Sequence, residues 1–232
     1  MHWLAHLLGS RHERQDEGTT PETQGLVLTW AWRYDLLVWW VTRGKERAFR
    51  QMTVEPAQLQ PGETVLDVGC GTGSLALVAK ERVGATGRVC GIDASVQMIA
   101  RARRKAERVG LSIDFQVGLI EQLAFPDQSF DVVLSTMMMH HLPDDLKRQG
   151  LAEMARVLKP EGRLLVVDLK GTAAPHGRLE QPAQTGTGES GMHGLSALMQ
   201  AAGMFPVETG AIRFAGFGKR VPELGFVRAQ KS

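Results

Sequence analysis

Residues Val65–Gly73 read VLDVGCGTG, and this stretch decides the fold. A short apolar run carrying one acid, Asp67, meets three glycines spaced G-x-G-x-G at Gly69, Gly71 and Gly73. Such a turn is tight, and its backbone must approach a ligand with no Cβ in the way. The residues that follow, Ser74–Val83 (SLALVAKERV), predict a helix with Leu75, Val78, Ala79 and Arg82 along one face. Gly84 then fits its C-terminal cap. A strand, a glycine turn and a helix N-terminus thus follow in order.

A glycine turn alone also fits a dinucleotide site, which wants G-x-G-x-x-G so that a pyrophosphate can sit on the helix end. The neighbouring sequence separates the two. The next strand, RVCGID from Arg88, ends in Asp93, 20 residues after Gly73. An acid there can accept two hydrogen bonds from ribose hydroxyls. The two stretches VLDVGCGTG and VCGIDAS resemble the class I S-adenosylmethionine-dependent methyltransferases. The likeness continues through GLIEQLAFP from Gly118, DQSFDVVLSTMMMHHLPD and EMARVLKPEGRLLVVDL, with WRYDLLVWWVTRGKERAFRQM upstream. In that order they are similar to the ubiquinone/menaquinone-biosynthesis C-methyltransferase branch and its small-molecule relatives. The resemblance spans about Trp30 to Leu169 and is specific for the superfamily, not for a substrate.

The resemblance implies S-adenosylmethionine as cofactor. It places Asp67, Gly69, Cys70, Gly71, Gly73, Asp93, Ala94, Gly118, Leu119, Ile120 and Thr136 around it. Asp67 is expected to orient the cofactor's amino-acid end through the turn, or to brace that turn. One departure stands out. The branch usually has an acid after the glycine at 118, to take the adenine amino group, and here the residue is Leu119. Backbone groups of Leu119 and Ile120, or the side chain of Glu121, must then read the adenine edge. One lost hydrogen bond of this kind is worth about 0.5–1.5 kcal/mol.

Composition bounds the rest. The chain has 232 residues and a net charge of +2, which suits one domain with a small appendage and gives no global pull towards nucleic acid. The arginine run RARRK at 101–105 reads as the solvated face of a helix, and no Asn-Pro-Pro-Tyr motif of base methylation is present. Two cysteines, Cys70 and Cys90, fall at expected core positions without disulfide or metal spacing, which fits a cytoplasmic protein. His2 and His6 are four apart but lack a third ligand, so no metal is expected.

Alternation of elements predicts an α/β fold, a doubly wound, mostly parallel seven-stranded sheet with a C-terminal antiparallel hairpin. Strands are expected at 64–68, 88–93, 112–117, 130–135, 163–169, 205–214 and 223–229. Helices are expected at 74–83, 95–109, 144–158 and 194–202. The 95–109 helix carries Val96, Ile99, Ala102, Ala106 and Val109 as a stripe, with Gly110 as a stop. Residues 1–24 read as a flexible tail, 25–60 as a helical lid, and 61–232 as the cofactor-binding domain. A Gly/Thr/Pro-rich stretch from Gly171 to Gly191 reads as a long loop.

Methyl transfer is an in-line substitution at a sulfonium methyl group, so an enzyme contributes positioning and exclusion of water. Met137, Met138 and Met139 suit an apolar wall, or ordinary core. His140 and His141 follow them. Carbon methylation of a phenol ring needs the oxygen deprotonated, so one of the pair is expected to act as base or orienting donor. Tyr34, the single tyrosine, shares a helical element with Trp30, Trp32, Trp39 and Trp40, and is expected near the methyl group under a lid. The tryptophans suggest a flat hydrophobic acceptor or peripheral contact with a membrane surface. The acceptor is expected to be a small molecule, with O- or N-methylation as alternatives to C-methylation. A non-catalytic cofactor-binding module and a dinucleotide oxidoreductase are the readings from other classes.

Overall fold

The structure, a computed structural model, describes residues 31–170, 192–215 and 223–232, the side chains at 31–33, 192 and 193 excepted. The expectations on the tail, on His2 and His6, on Trp30, on the Trp32 side chain and on the Gly171–Gly191 loop lie outside the described residues.

Seven strands form one sheet: β1 (Thr64–Val68), β2 (Arg88–Asp93), β3 (Asp114–Val117), β4 (Phe130–Thr136), β5 (Leu158–Leu169), β6 (Met204–Ile212) and β7 (Leu224–Lys231). Their order is β3-β2-β1-β4-β5-β7-β6. The first five run parallel, and β7 runs antiparallel to both β5 and β6. The seven-stranded doubly wound sheet with a closing hairpin is therefore as expected. The strand order reverses between β1 and β4, so the crevice at their carboxyl ends is the natural ligand site.

Helices α1 (Ala31–Val41), α2 (Glu46–Val54), α3 (Ser74–Val83), α4 (Val96–Arg108), α5 (Asp144–Val157) and α6 (Met192–Ala201) complete the described fold. Alternate residues of each strand feed two cores. Leu165 and Val167 of β5 pack with Phe49, Leu75, Val78, Ile99 and Ala102 from α2, α3 and α4. Leu164 and Val166 pack on the other face with Leu151 and Met154 of α5 and Leu195 and Met199 of α6. A sheet covered on both faces explains why its strands read as nearly continuous apolar runs.

Three expectations need correction. Arg82 and Val109 do not join their helices' buried stripes; both are exposed, Arg82 in the last turn of its helix and Val109 at the C-cap of the other. Strand β5 begins at Leu158, not at Arg163, so Lys159-Pro160 follows the helix inside an irregular strand start beside Phe130. The run at 101–105 is not simply solvated. Arg101 and Lys105 both reach the Asp35 carboxylate of α1, at 2.9 Å and 2.8 Å, and Arg103 donates to the Phe115 carbonyl at 2.6 Å.

Candidate active site

The glycine turn is built in layers. Gly69 and Cys70 donate their backbone N–H groups to the Ile92 carbonyl at 2.9 Å and 2.8 Å, which folds the end of β1 onto β2. All three glycines have positive φ. Their environments differ. A Cβ on Gly69 would meet the Met138 side chain at 2.6 Å, and one on Gly73 would meet Phe115 at 2.7 Å and Ala102 at 2.8 Å. A Cβ on Gly71 would meet nothing within 4 Å. Two glycines are thus needed for packing, and the third faces open space.

That space is a cleft of about 1000 Å³, its open mouth included. It is within the range of small-molecule sites, about 300–1,000 Å³. Of the residues expected around a cofactor, Gly69, Cys70, Gly71, Asp93, Ala94, Gly118, Leu119, Ile120 and Thr136 line it. Tyr34, Met137, Met138 and His141 line it as well. Asp67, Gly73, Met139 and His140 do not reach the wall.

Asp93 stands at the end of β2. Its Oδ2 accepts the Gly71 N–H and its Oδ1 the Ser95 N–H, both at 2.9 Å. Burial pushes its carboxyl above the ordinary range, and the two N–H groups offset part of that push. Each oxygen keeps a further acceptor site, which is what a vicinal diol requires.

Asp67 lies behind the turn, 1% exposed, and neither of its oxygens makes a well-formed hydrogen bond among the described residues. Burial raises its carboxyl to about 7. The charge of Arg50 and the backbone of Ala76 act against that rise, and Asp93 adds to it. It lies behind the wall and couples electrostatically to Arg50, a place compatible with acting through the turn.

Arg50 escaped the sequence reading. It sits on α2 with Phe49, Thr53 and Val54 on the buried face, and it lines the cleft. Burial works against its charge, but Tyr34, Glu46 and Asp67 together hold its pKa above the ordinary value. Among the described residues its guanidinium pairs with Glu46 at 3.6 Å. Helical phase was the available signal, since Arg50 precedes Val54 by one turn.

Asp35 was also missed as a site residue. It accepts hydrogen bonds from Thr72 of the glycine turn at 2.7 Å, from Lys105 at 2.8 Å and from Arg101 at 2.9 Å. Lys105 also donates to Thr72 and Ser74. Burial alone would raise the Asp35 carboxyl, but these partners hold it below the usual range.

The two histidines occupy a 3-10 turn after β4, Met139–His141, and do not cap α5, whose N-cap is Pro143. Their roles divide. His141 faces the cleft, and His140 lies behind it with ring centroids 3.9 Å apart. His140 Nδ1 is 2.5 Å from Oδ1 of the buried Asp168, whose Oδ2 accepts the His140 backbone N–H at 3.0 Å. This contact favours the tautomer that carries the ring proton on Nδ1, facing the carboxylate. Asp168 carried a sequence signal: like Asp67 and Asp93, it is an acid near the carboxyl end of an apolar strand.

Glu121 lines the same cleft two residues beyond Leu119, so an acid is present near the position where the branch places one. The cysteines are free and buried, and burial holds the Cys70 thiol well above its ordinary pKa. Among the described residues no cluster could hold a metal, and no helix is long and apolar enough to cross a membrane.

Residues 65–162 match the family described as a methyltransferase domain. The chain is 37% identical over 162 residues to a demethylmenaquinone methyltransferase of Deinococcus radiodurans, covering 70% of this chain and 65% of that one. It is 37% identical over 143 residues to the ubiquinone/menaquinone biosynthesis C-methyltransferase UbiE of Bordetella avium, covering 62% and 55%. It thus spans less than two thirds of the length of either. Among solved structures, a SAM-dependent methyltransferase from Aquifex aeolicus superposes with a TM-score of 0.62 at 24% identity, over 79% of this chain and 89% of that one.

Proposed function

We propose that this chain, whose residues 65–162 match a methyltransferase domain, is a class I S-adenosylmethionine-dependent enzyme that moves a methyl group to carbon on a small apolar quinol or phenol. One observation carries the reading. Gly71, Asp93, Arg50 and His141 come from four separate elements and converge on a single cleft at the reversal of strand order. The names of the two relatives support the quinol class.

The residues fit the cofactor. The open space at Gly71 is a cradle that any Cβ would fill. Asp93 holds the ribose hydroxyls, with two charge-assisted hydrogen bonds. Glu121 and the backbone of Leu119 and Ile120 take the adenine edge. Arg50, the one guanidinium on the wall among the described residues, suits the α-carboxylate, and it is buried where such a pair is strong. The bound cofactor supplies an electrophilic sulfonium methyl group. Met137 and Met138 wall the cleft with polarizable, apolar surface that holds a flat acceptor and excludes water. His141 takes the phenol proton, which makes the ring carbon nucleophilic, and His140 fixes its ring from behind. Tyr34 closes the lid side.

Calorimetric titration with S-adenosylhomocysteine and NAD, followed by methyl transfer from labelled cofactor to a demethylated prenyl quinol, tests this. Tighter binding of NAD defeats the reading. Cofactor binding with no transfer to any quinol or phenol favours a binding module, and a labelled oxygen or nitrogen in the product moves the acceptor class.

A further inference from the structure

Helix α1 has two working sides. Tyr34 lines the cleft, and Asp35 bonds to Thr72, Arg101 and Lys105. On the opposite side Leu36, Leu37, Trp39 and Trp40 are 57%, 49%, 57% and 72% exposed. At about 3.6 residues per turn these four fall on one continuous arc. A single exposed leucine needs no explanation, but a contiguous face with two indoles does.

The chain that leaves this helix is basic. Arg43, Lys45 and Arg47 are all exposed. Glu81 faces Arg47 at 3.0 Å, and Glu46, the acid within the run, turns inward to Arg50. The ground beside the apolar face therefore keeps a cationic edge at Arg43 and Lys45. Indoles and leucines flanked by basic residues are the composition that settles at the headgroup level of an anionic bilayer.

We propose that α1 and the turn after it dock the protein on an anionic lipid surface. Leu36, Leu37, Trp39 and Trp40 enter the headgroup boundary, and Arg43 and Lys45 meet lipid phosphates. The proposal rests on the apolar-acceptor reading in one respect. Tyr34 of the same helix lines the cleft, so docking through α1 would hold the cleft close to a surface in which an apolar acceptor is dissolved. A second copy is the weaker occupant, because a two-fold contact through this face would bring the Arg43 and Lys45 pairs of both copies together.

Co-flotation of the full chain with vesicles, no acceptor present, tests the surface. Binding is expected to vesicles of phosphatidylcholine with phosphatidylglycerol, weaker binding to phosphatidylcholine alone, and release at about 0.5 M salt. Leu36→Ser with Trp40→Ser, which leaves Tyr34 and Asp35 in place, should weaken binding by about tenfold or more. Arg43→Glu with Lys45→Glu should abolish the preference for anionic vesicles. Absence of flotation, or flotation undiminished in the Leu36/Trp40 variant, overturns the proposal. So does a dimer that this variant dissolves without any effect on vesicles. S-adenosylhomocysteine affinity, measured on the same proteins, should not change between wild type and the Leu36/Trp40 variant. If the wild type itself fails to bind it, the methyltransferase reading falls while the flotation result stands.

Discussion

The Thr72 hydroxyl donates to the Asp35 carboxylate across 2.7 Å, and so joins the helix over the cleft to the turn that forms its floor. Lys105 closes the triangle with bonds of 2.8 Å to each. Asp35→Ala strands a half-buried ammonium and frees the turn. A loss of about 1–3 kcal/mol is expected, read as a lower melting temperature together with weaker S-adenosylhomocysteine binding. Lys105→Met in the same background should recover part of the stability. An Asp35→Ala protein that melts like wild type would show that the triangle holds nothing.

Asp93 should set how cofactor affinity depends on pH. Its carboxyl titrates above the ordinary value, chiefly through burial. Ribose hydroxyls bind the charged form, so affinity is full above that raised pKa and falls as pH drops through it. Asp93→Asn should remove the dependence. Asp93→Ala should cost about 1.5–3 kcal/mol for each hydrogen bond lost. Wild-type affinity in either variant would mean that the ribose lies elsewhere.

Gly71 and Gly73 should fail in different ways. Gly71→Val puts a branched side chain into open space at a φ of +53°. The protein should fold, with some strain, and lose ligand binding. Gly73→Val drives atoms into Phe115 and Ala102, so its circular dichroism and melting should collapse first. Binding retained by a folded Gly71→Val protein would contradict the cradle.

Stability itself should carry the signature of Asp67. This carboxyl titrates at about 7 in the fold against 3.8 when unfolded. The native state therefore binds the proton more readily. The contribution is fully present below 3.8, declines as pH rises to about 7, and is absent above it. Denaturant midpoints across that window should fall with rising pH, and Asp67→Asn should flatten the slope. A slope that survives in Asp67→Asn assigns it to another group.

The histidine pair should separate kinetically. His141→Ala is expected to lower turnover by about 10²–10⁴-fold with S-adenosylhomocysteine affinity unchanged. Asp168→Asn removes the charge that fixes His140 and should cost less while shifting the pH profile of turnover. If His141→Ala turns over like wild type, the acceptor is not activated from this wall.

Much of this was legible in the residues. The helix Ser74–Val83 and strand Arg88–Asp93 fall where periodicity and end signals place them, since both are defined locally by glycine and by apolar phase. The cleft-lining glycines and Asp93 were legible because one tight turn dictates them. Arg50, Asp35 and the Asp168–His140 bond were not. Each depends on which element packs against which, and the Asp168–His140 and Asp35–Lys105 bonds join residues 28 and 70 positions apart along the chain. The cations at 101–105 misled for the same reason. A basic helix face reads as solvated until another helix brings an acid to it.

Strand β7 lies between β5 and β6, although it follows both in the chain. This has a consequence for how the protein comes into being. Strand β6 can find no hydrogen-bonded neighbour in the sheet until β7 has been synthesised, and β5 offers an open edge until then. Buried Val227 and Ala229 complete the core shared with α6 at the same moment. A nascent chain halted before Leu224 would already contain its glycine turn and Asp93 while presenting that edge to its neighbours, and so would be prone to pair with another chain before it was finished.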